Sequence, residues 1–165
     1  MTAAARPTLH ELQGTLPFTG TVTWIGVRPA RGAALDTVDK VLADPKVGLV
    51  GDRYAGRSGK RQVTLIDAAH LAAVAACLDR EAVAPDLVRR NIVVSGFNLL
   101  ALKGRRFQVG DALMEWTAPC HPCSRMETVL GPGGYNAMRG HGGICARVLS
   151  GGLIRRGDPL TYRPD

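Results

Sequence analysis

The residues most able to do chemistry sit together in Pro119-Cys120-His121-Pro122-Cys123, and two more candidates, His141 and Cys145, follow downstream. Three chemistries suit a C-x-x-C pair placed after a strand. A thioredoxin-like redox pair needs a βαβ setting and a helix starting inside the motif, and the hairpin pattern upstream argues against that. Structural zinc is the second: Cys120, Cys123, His141 and Cys145 spell C-x2-C-x17-H-x3-C, and both short spacings suit tetrahedral nitrogen and sulfur ligation. In the third, one thiolate acts alone as ligand or nucleophile, with the other as packing or partner. Two cysteines in a tight turn with no chemistry is the plain alternative. Cys77, in Ala75-Ala76-Cys77-Leu78, reads as a core residue. His70 reads as a helix-face residue, and His10 falls in the N-terminal lead-in.

Arginines are the second reservoir of chemistry. The chain carries 21 Lys+Arg against 14 acids, a formal charge of +7, and all but four of those cations are arginine. Arginine's planar fork suits phosphate and carboxylate better than diffuse attraction does. No basic run exceeds two residues and aromatics make up 5%, so a phosphorylated small ligand is a better partner than nucleic acid. Around the cysteines, Arg53 and Arg61 flank a basic loop, Arg89-Arg90-Asn91 leads straight into a strand, and Arg125 follows Cys123. The glycine-dense stretch Gly131–Gly143 is able to present backbone N–H groups. A Gly-x-Gly-x-x-Gly turn between strand and helix is missing, as is a Gly-x-Ser-x-Gly elbow, which removes the dinucleotide-binding and serine-hydrolase readings.

The elements that must position these residues are mainly strands. Gly20–Val27, a stretch near Thr37–Leu42, Gln62–Ile66 and Asn91–Val94 read as strands, and Gly48–Tyr54 as a strand running into a glycine-containing turn. Asp67 is a suitable N-cap for an alanine-rich helix over Ala68–Asp79, and Pro85 for the first turn of a short helix to Arg90. Arg106–Val109 and Ala112–Thr117 flank the hairpin dipeptide Gly110-Asp111. Cys123–Leu130 suits one or two helical turns, and Cys145–Leu149 and Leu160–Tyr162 close the chain as strands. This pattern predicts a mainly β, α+β chain built on a closed or partly closed mixed β-barrel with a few helices. At 165 residues, 45% hydrophobic and 21% charged, it is one domain over 20–165 after a polar lead-in at 1–19. No run approaches a membrane span, and Met1–Phe18 lacks the pattern of a signal peptide. A cytoplasmic protein is expected.

Taken in order, Gly48-Leu-Val-Gly51-Asp52-Arg53, Arg61-Gln-Val-Thr-Leu-Ile66, Arg89-Arg90-Asn91-Ile-Val-Val-Ser-Gly96, Leu102–Asp111, Cys120-His-Pro-Cys123 and Ala146–Gly152 resemble the MOSC domain, the module found at the C-terminus of molybdenum cofactor sulfurases and also as a free-standing protein. The resemblance spans roughly Gly20–Tyr162. It implies a barrel of the MOSC type and, as in the family's reductases, a thiolate that ligates molybdenum held by a pterin dithiolene. Cys123 matches that position, and Arg90 and Asn91 match the Arg–Asn segment beside the cofactor. It further implies reduction of N-hydroxylated substrates such as hydroxylaminopurines, with electrons from a separate reductase. The alternative it leaves is a sulfur carrier bearing a Cys123 persulfide and served by a separate sulfurase. Larger relatives add an N-terminal barrel domain, which this sequence is not expected to carry. They also place an acidic residue where this chain reads Gly56-Arg-Ser-Gly-Lys60. No PLP-binding domain is read in the chain.

Overall fold

The computed structural model describes residues 5–54 and 56–164. Seven strands close on themselves in the order β1 (Thr19–Val27), β11 (Pro159–Arg163), β7 (Arg106–Val109), β8 (Ala112–Pro119), β9 (Ile144–Ser150), β5 (Val63–Asp67) and β6 (Ile92–Ser95), with β6 returning to β1. All neighbours are antiparallel except β5 and β6, where Leu65 lies opposite Ile92 in a parallel pair. A parallel pair needs a crossover, and α2 (Ala68–Cys77) begins it. Asp67 caps that helix as expected, its Oδ1 accepting from the Ala69 N–H at 2.8 Å. Two-residue β2 (Asp36–Thr37) extends β1, while β10 (Gly152–Arg155), β3 (Lys40–Asp44) and β4 (Gly48–Leu49) form a small second sheet.

Side-chain alternation divides the core in two. Val22, Ile25, Leu65, Ile92, Phe107, Met114, Val148 and Leu160 fill the barrel. Ile66 and Val93 face the other way and pack under Leu71 and Val74 of α2, Met126 and Leu130 of α3 (Ser124–Leu130), and Met138 of α4 (Gly134–Met138). Strand β5 is therefore buried along its whole length, which is why Val63-Thr-Leu-Ile66 reads as a continuous rather than an alternating run. Each large aliphatic side chain so buried contributes about 1.5–3 kcal/mol.

Several local expectations are corrected. Pro85–Arg90 forms turns and no helix: Leu87 and Arg89 donate three residues back, to Ala84 and Asp86, and Arg89 then turns into the left-handed region at φ 59°. The Gly131–Gly143 loop contains α4. Cys77 is exposed, because α2 buries the face carrying Leu71, Val74 and Ala75. The lead-in holds a six-residue helix α1 (Leu9–Gly14) that buries nothing; the reciprocal Thr8/Glu11 capping box closes its N-terminus.

Candidate functional site

The C-terminal end of β1, the turn after β4, the start of β5, the residues ahead of β6 and the exit from β8 converge on a cleft of about 640 Å³. Cys120, Cys123, Arg53, Arg61, Arg90 and Arg125 all line it. Of the residues expected from sequence, Asn91, His141 and Cys145 are not among those lining it, and Asn91 lies behind the wall.

The two cysteines of the C-x-x-C pair have different surroundings. Cys123 is exposed, in extended backbone at the N-cap of α3, and its side chain makes no capping hydrogen bond. Cys120 is 2% exposed. Strand register sets Cys145 opposite Ala118 and Ile144 opposite Pro119, so Cys120 and Cys145 project from the same face. Arg61 Nη2 lies 3.8 Å from the Cys120 sulfur. The hydrogen bond from Cys145, with Arg90 and Arg61 nearby, outweighs burial and pulls the Cys120 thiol down to about 6. Its partner Cys145 is pushed up, first by that hydrogen bond and then by burial. The two shifts share one leading cause, the Cys120–Cys145 hydrogen bond, which favours ionisation of Cys120 over that of Cys145.

Behind the cleft is a clip of buried polar groups. Arg90, 6% exposed, donates from Nε to the Gly142 carbonyl at 2.7 Å, from Nη1 to Val88 at 2.7 Å and from Nη2 to Cys120 at 3.1 Å. Its fork is committed to its own chain, so it positions the Cys120 turn against the glycine loop. Gly142 and Gly143 permit that contact: a Cβ on the first would fall on the Cys120 carbonyl, and on the second on the Leu65 carbonyl. Asn91 is equally committed. Its Oδ1 accepts from the Thr64 N–H at 3.1 Å and the Thr64 hydroxyl at 2.9 Å, and its Nδ2 donates to Gly26 at 3.1 Å and Asp52 at 3.2 Å. Asp52 completes the clip by accepting the Arg28 N–H at 2.6 Å.

The front of the cleft is electrostatically unbalanced. Arg28, which was not singled out from sequence, and Arg89, named there only as part of Arg89-Arg90-Asn91, line it beside Arg53 and Arg125, and all four also border an adjoining hollow of about 210 Å³ with Arg31. Burial, then the neighbouring guanidinium groups of Arg28 and Arg125, push the Arg89 pKa down. Arg28 Nε lies 3.6 Å from Asp52 Oδ1 but, like the Tyr54 hydroxyl in the same wall, is buried without a hydrogen-bond partner. Only the Pro after Arg28 marks that position in sequence, and nothing local announces the left-handed turn that aims Arg89.

The four-residue zinc set is not assembled. Among the described residues no three His, Cys, Asp or Glu side chains form a metal-binding group. His141 turns away to bond the Ala137 carbonyl at 2.9 Å and meets the His70 ring edge-on at 5.3 Å. The right spacing fails because α3 and α4 intervene between Cys123 and His141 and carry the histidine to the α2 side.

The MOSC domain family model matches residues 41–161. Similar solved structures include the YUAD protein from Bacillus subtilis, 19% identical with a TM-score of 0.75 over 86% of this chain and 94% of that one. YiiM from Geobacillus stearothermophilus is 19% identical with a TM-score of 0.70, over 88% and 75%. YiiM from Escherichia coli is 20% identical with a TM-score of 0.67, over 88% and 70%. At these identities the likeness is one of fold, the mixed barrel. No curated protein matches the sequence. With the family model covering most of the chain, from β3 to β11, this protein belongs to the MOSC domain family.

Proposed function

We propose that this MOSC protein is a cytoplasmic enzyme that binds the molybdenum cofactor through Cys123 and reduces N-hydroxylated small molecules with electrons from a separate flavin or iron–sulfur protein. One observation carries the reading: an exposed thiol, Cys123, stands in a cleft whose described lining includes six arginines and no carboxylate. The residues fit such a group chemically. A soft thiolate suits a high-valent metal held by sulfur. Guanidinium forks suit a phosphate, and the buried, unpartnered Arg28 Nε and Tyr54 hydroxyl are donors that an anionic ligand would satisfy. When bound, the cofactor supplies a redox centre able to accept the substrate oxygen.

The protein's own residues do the rest. Arg53, Arg61 and Arg125 hold the anionic part of the ligand, with Arg28 and Arg89 alongside. Arg90 and Asn91 fix the walls from behind. Cys120, buried and within reach of Arg61, keeps the floor of the cleft polar without competing for the exposed position.

The same exposed thiol supports a second reading, a sulfur carrier with a persulfide on Cys123. Protein purified from a host that makes the cofactor separates the two. The proposal expects close to one molybdenum per chain, lost in Cys123→Ala while the melting temperature holds, and retained in Cys77→Ala. Full molybdenum in Cys123→Ala refutes it. A reductant-labile extra sulfur on the Cys123 peptide, without molybdenum, transfers the assignment to sulfur carriage.

A further inference from the structure

The cysteine cleft adjoins a second compartment with a different wall. Arg28, Arg53, Arg89 and Arg125 line both, but the hollow of about 210 Å³ adds Arg31 and is bordered by none of Tyr54, Arg61, Cys120 and Cys123. Five arginines and no carboxylate therefore border it.

Two of the five are fixed by the fold. Arg89, in the left-handed region at φ 59°, donates from Nη1 to the Ala33 carbonyl at 3.2 Å. Ala33 closes the turn that carries Arg31, its N–H donating to the Ala30 carbonyl at 3.2 Å. Arg28 is held through its own N–H by Asp52, and its buried Nε, 3.6 Å from that carboxylate, has no hydrogen-bond partner. Arg31, Arg53 and Arg125 are exposed. Among the described residues, Asp52 is the one carboxylate that pairs with any of the five.

Charge decides the class of ligand. A carboxylate brings one charge and two acceptor oxygens. A phosphate monoester brings close to two charges and three acceptor oxygens, which is the better match to several guanidinium forks around one hollow. Position decides whose phosphate it is. Arg61 and Tyr54, which line the cleft alone, stay available to the resident group beside Cys123. The hollow's own arginine, Arg31, is exposed, which suits a ligand that comes and goes. N-hydroxylated purines carry such a phosphate in their nucleotide form. We infer that the hollow takes the phosphate monoester of the substrate, so that the molecules reduced are N-hydroxylated nucleotides in preference to the free bases. This rests on the reading of the cleft as a site of N–O reduction.

Holoprotein from a host that makes the cofactor is titrated by calorimetry with AMP and with adenosine, which carry the amine in place of the N-hydroxyl group and bind without turnover. AMP should bind at least about tenfold more tightly than adenosine, the worth of one charge-assisted hydrogen bond. Arg31→Ser should weaken AMP by about fivefold or more, leave adenosine within about twofold and keep the molybdenum content. Arg139→Ser, at an arginine lining neither compartment, should leave both affinities within about twofold. In turnover, Arg31→Ser should raise KM for the N-hydroxylated form of AMP more than for that of adenosine. Equal affinity for AMP and adenosine in molybdenum-loaded protein overturns the inference and leaves the N–O reading standing. Molybdenum lost in Arg31→Ser also overturns it, because the hollow then holds the cofactor's phosphate. Molybdenum-free protein that still binds AMP through Arg31 supports the phosphate site while removing the N–O reading.

Discussion

Arg90 offers the sharpest test of the division between residues that face the cleft and residues that hold it. Arg90→Met keeps most of the apolar stem and removes all three donors. The carbonyls of Val88, Gly142 and Cys120 then lose a charged partner in a place where Arg90 itself is 6% exposed. A buried acceptor left without a partner costs about 1 kcal/mol at the low end of its range, so the variant should lose about 3 kcal/mol. With a urea slope of about 2 kcal/mol per molar, the midpoint falls by about 1.5 M, with no ligand present. The same substitution removes one of the charges that hold the Cys120 thiol down near 6, so the pH profile of Cys120 alkylation moves upward. Arg90→Lys, which keeps the charge but not the fork, should fall between the two in stability. A urea midpoint within about 0.5 M of the parent, with molybdenum content nevertheless lost, would refute the reasoning. It would make Arg90 a ligand contact instead of a clip.

Three further outcomes follow from the same geometry. The Cys120 pKa is lowered from 9.0 to about 6, so its thiolate favours the folded state above the unfolded value, and that stability is lost as pH falls through the folded one. Cys145, pushed up, keeps its proton in the folded chain while the unfolded chain begins to release it toward pH 9, which opposes the gain at the top of the window. Stability should therefore rise from about pH 6 and level off before about pH 9, and Cys120→Ala should remove the rise; an unchanged slope in that variant counts against the lowered Cys120 pKa. Gly143→Ala places a Cβ on the Leu65 carbonyl at φ 81°, costing about 3 kcal/mol or more and lowering the melting temperature by about 6–12 °C; a shift below about 2 °C would contradict the close approach. Asp67→Ala removes the α2 cap and should cost about 1 kcal/mol by urea unfolding, whereas an unaltered midpoint would show the cap to be idle.

Where the signal was local, the sequence was legible. Asp67 ahead of an alanine run is a cap by residue type, Gly110-Asp111 between two short apolar runs is a hairpin, and both stand where expected. The continuous Val63–Ile66 run marked a strand covered on both faces. Cys77 was misread because an alanine-rich helix has nearly equal faces, and only the position of β5 and β6 decides which is covered. The zinc set failed for a related reason: spacing along the chain states how many residues separate two ligands and leaves open which side of the barrel the intervening helices take.

The arginines show the deeper limit. Arg90 and Arg125 are the same residue type, each close to a cysteine motif element, yet one closes its fork on three carbonyls and the other borders the cleft. What separates them is the company of backbone carbonyls up to 52 residues away, which carry no residue-type signature. The rim shows the other extreme. Arg89, which donates from Nη1 to the Ala33 carbonyl at 3.2 Å, is held at φ 59°, and burial, then Arg28 and Arg125, push its pKa down; a non-glycine residue in that region costs of order 1–3 kcal/mol. The fold tolerates both costs at one place, the rim of the cleft that carries Cys123. An anion bound there would offset the like-charge contact of Arg89 with Arg28 and Arg125, so its affinity would come partly from relief of the protein's own unfavourable contacts.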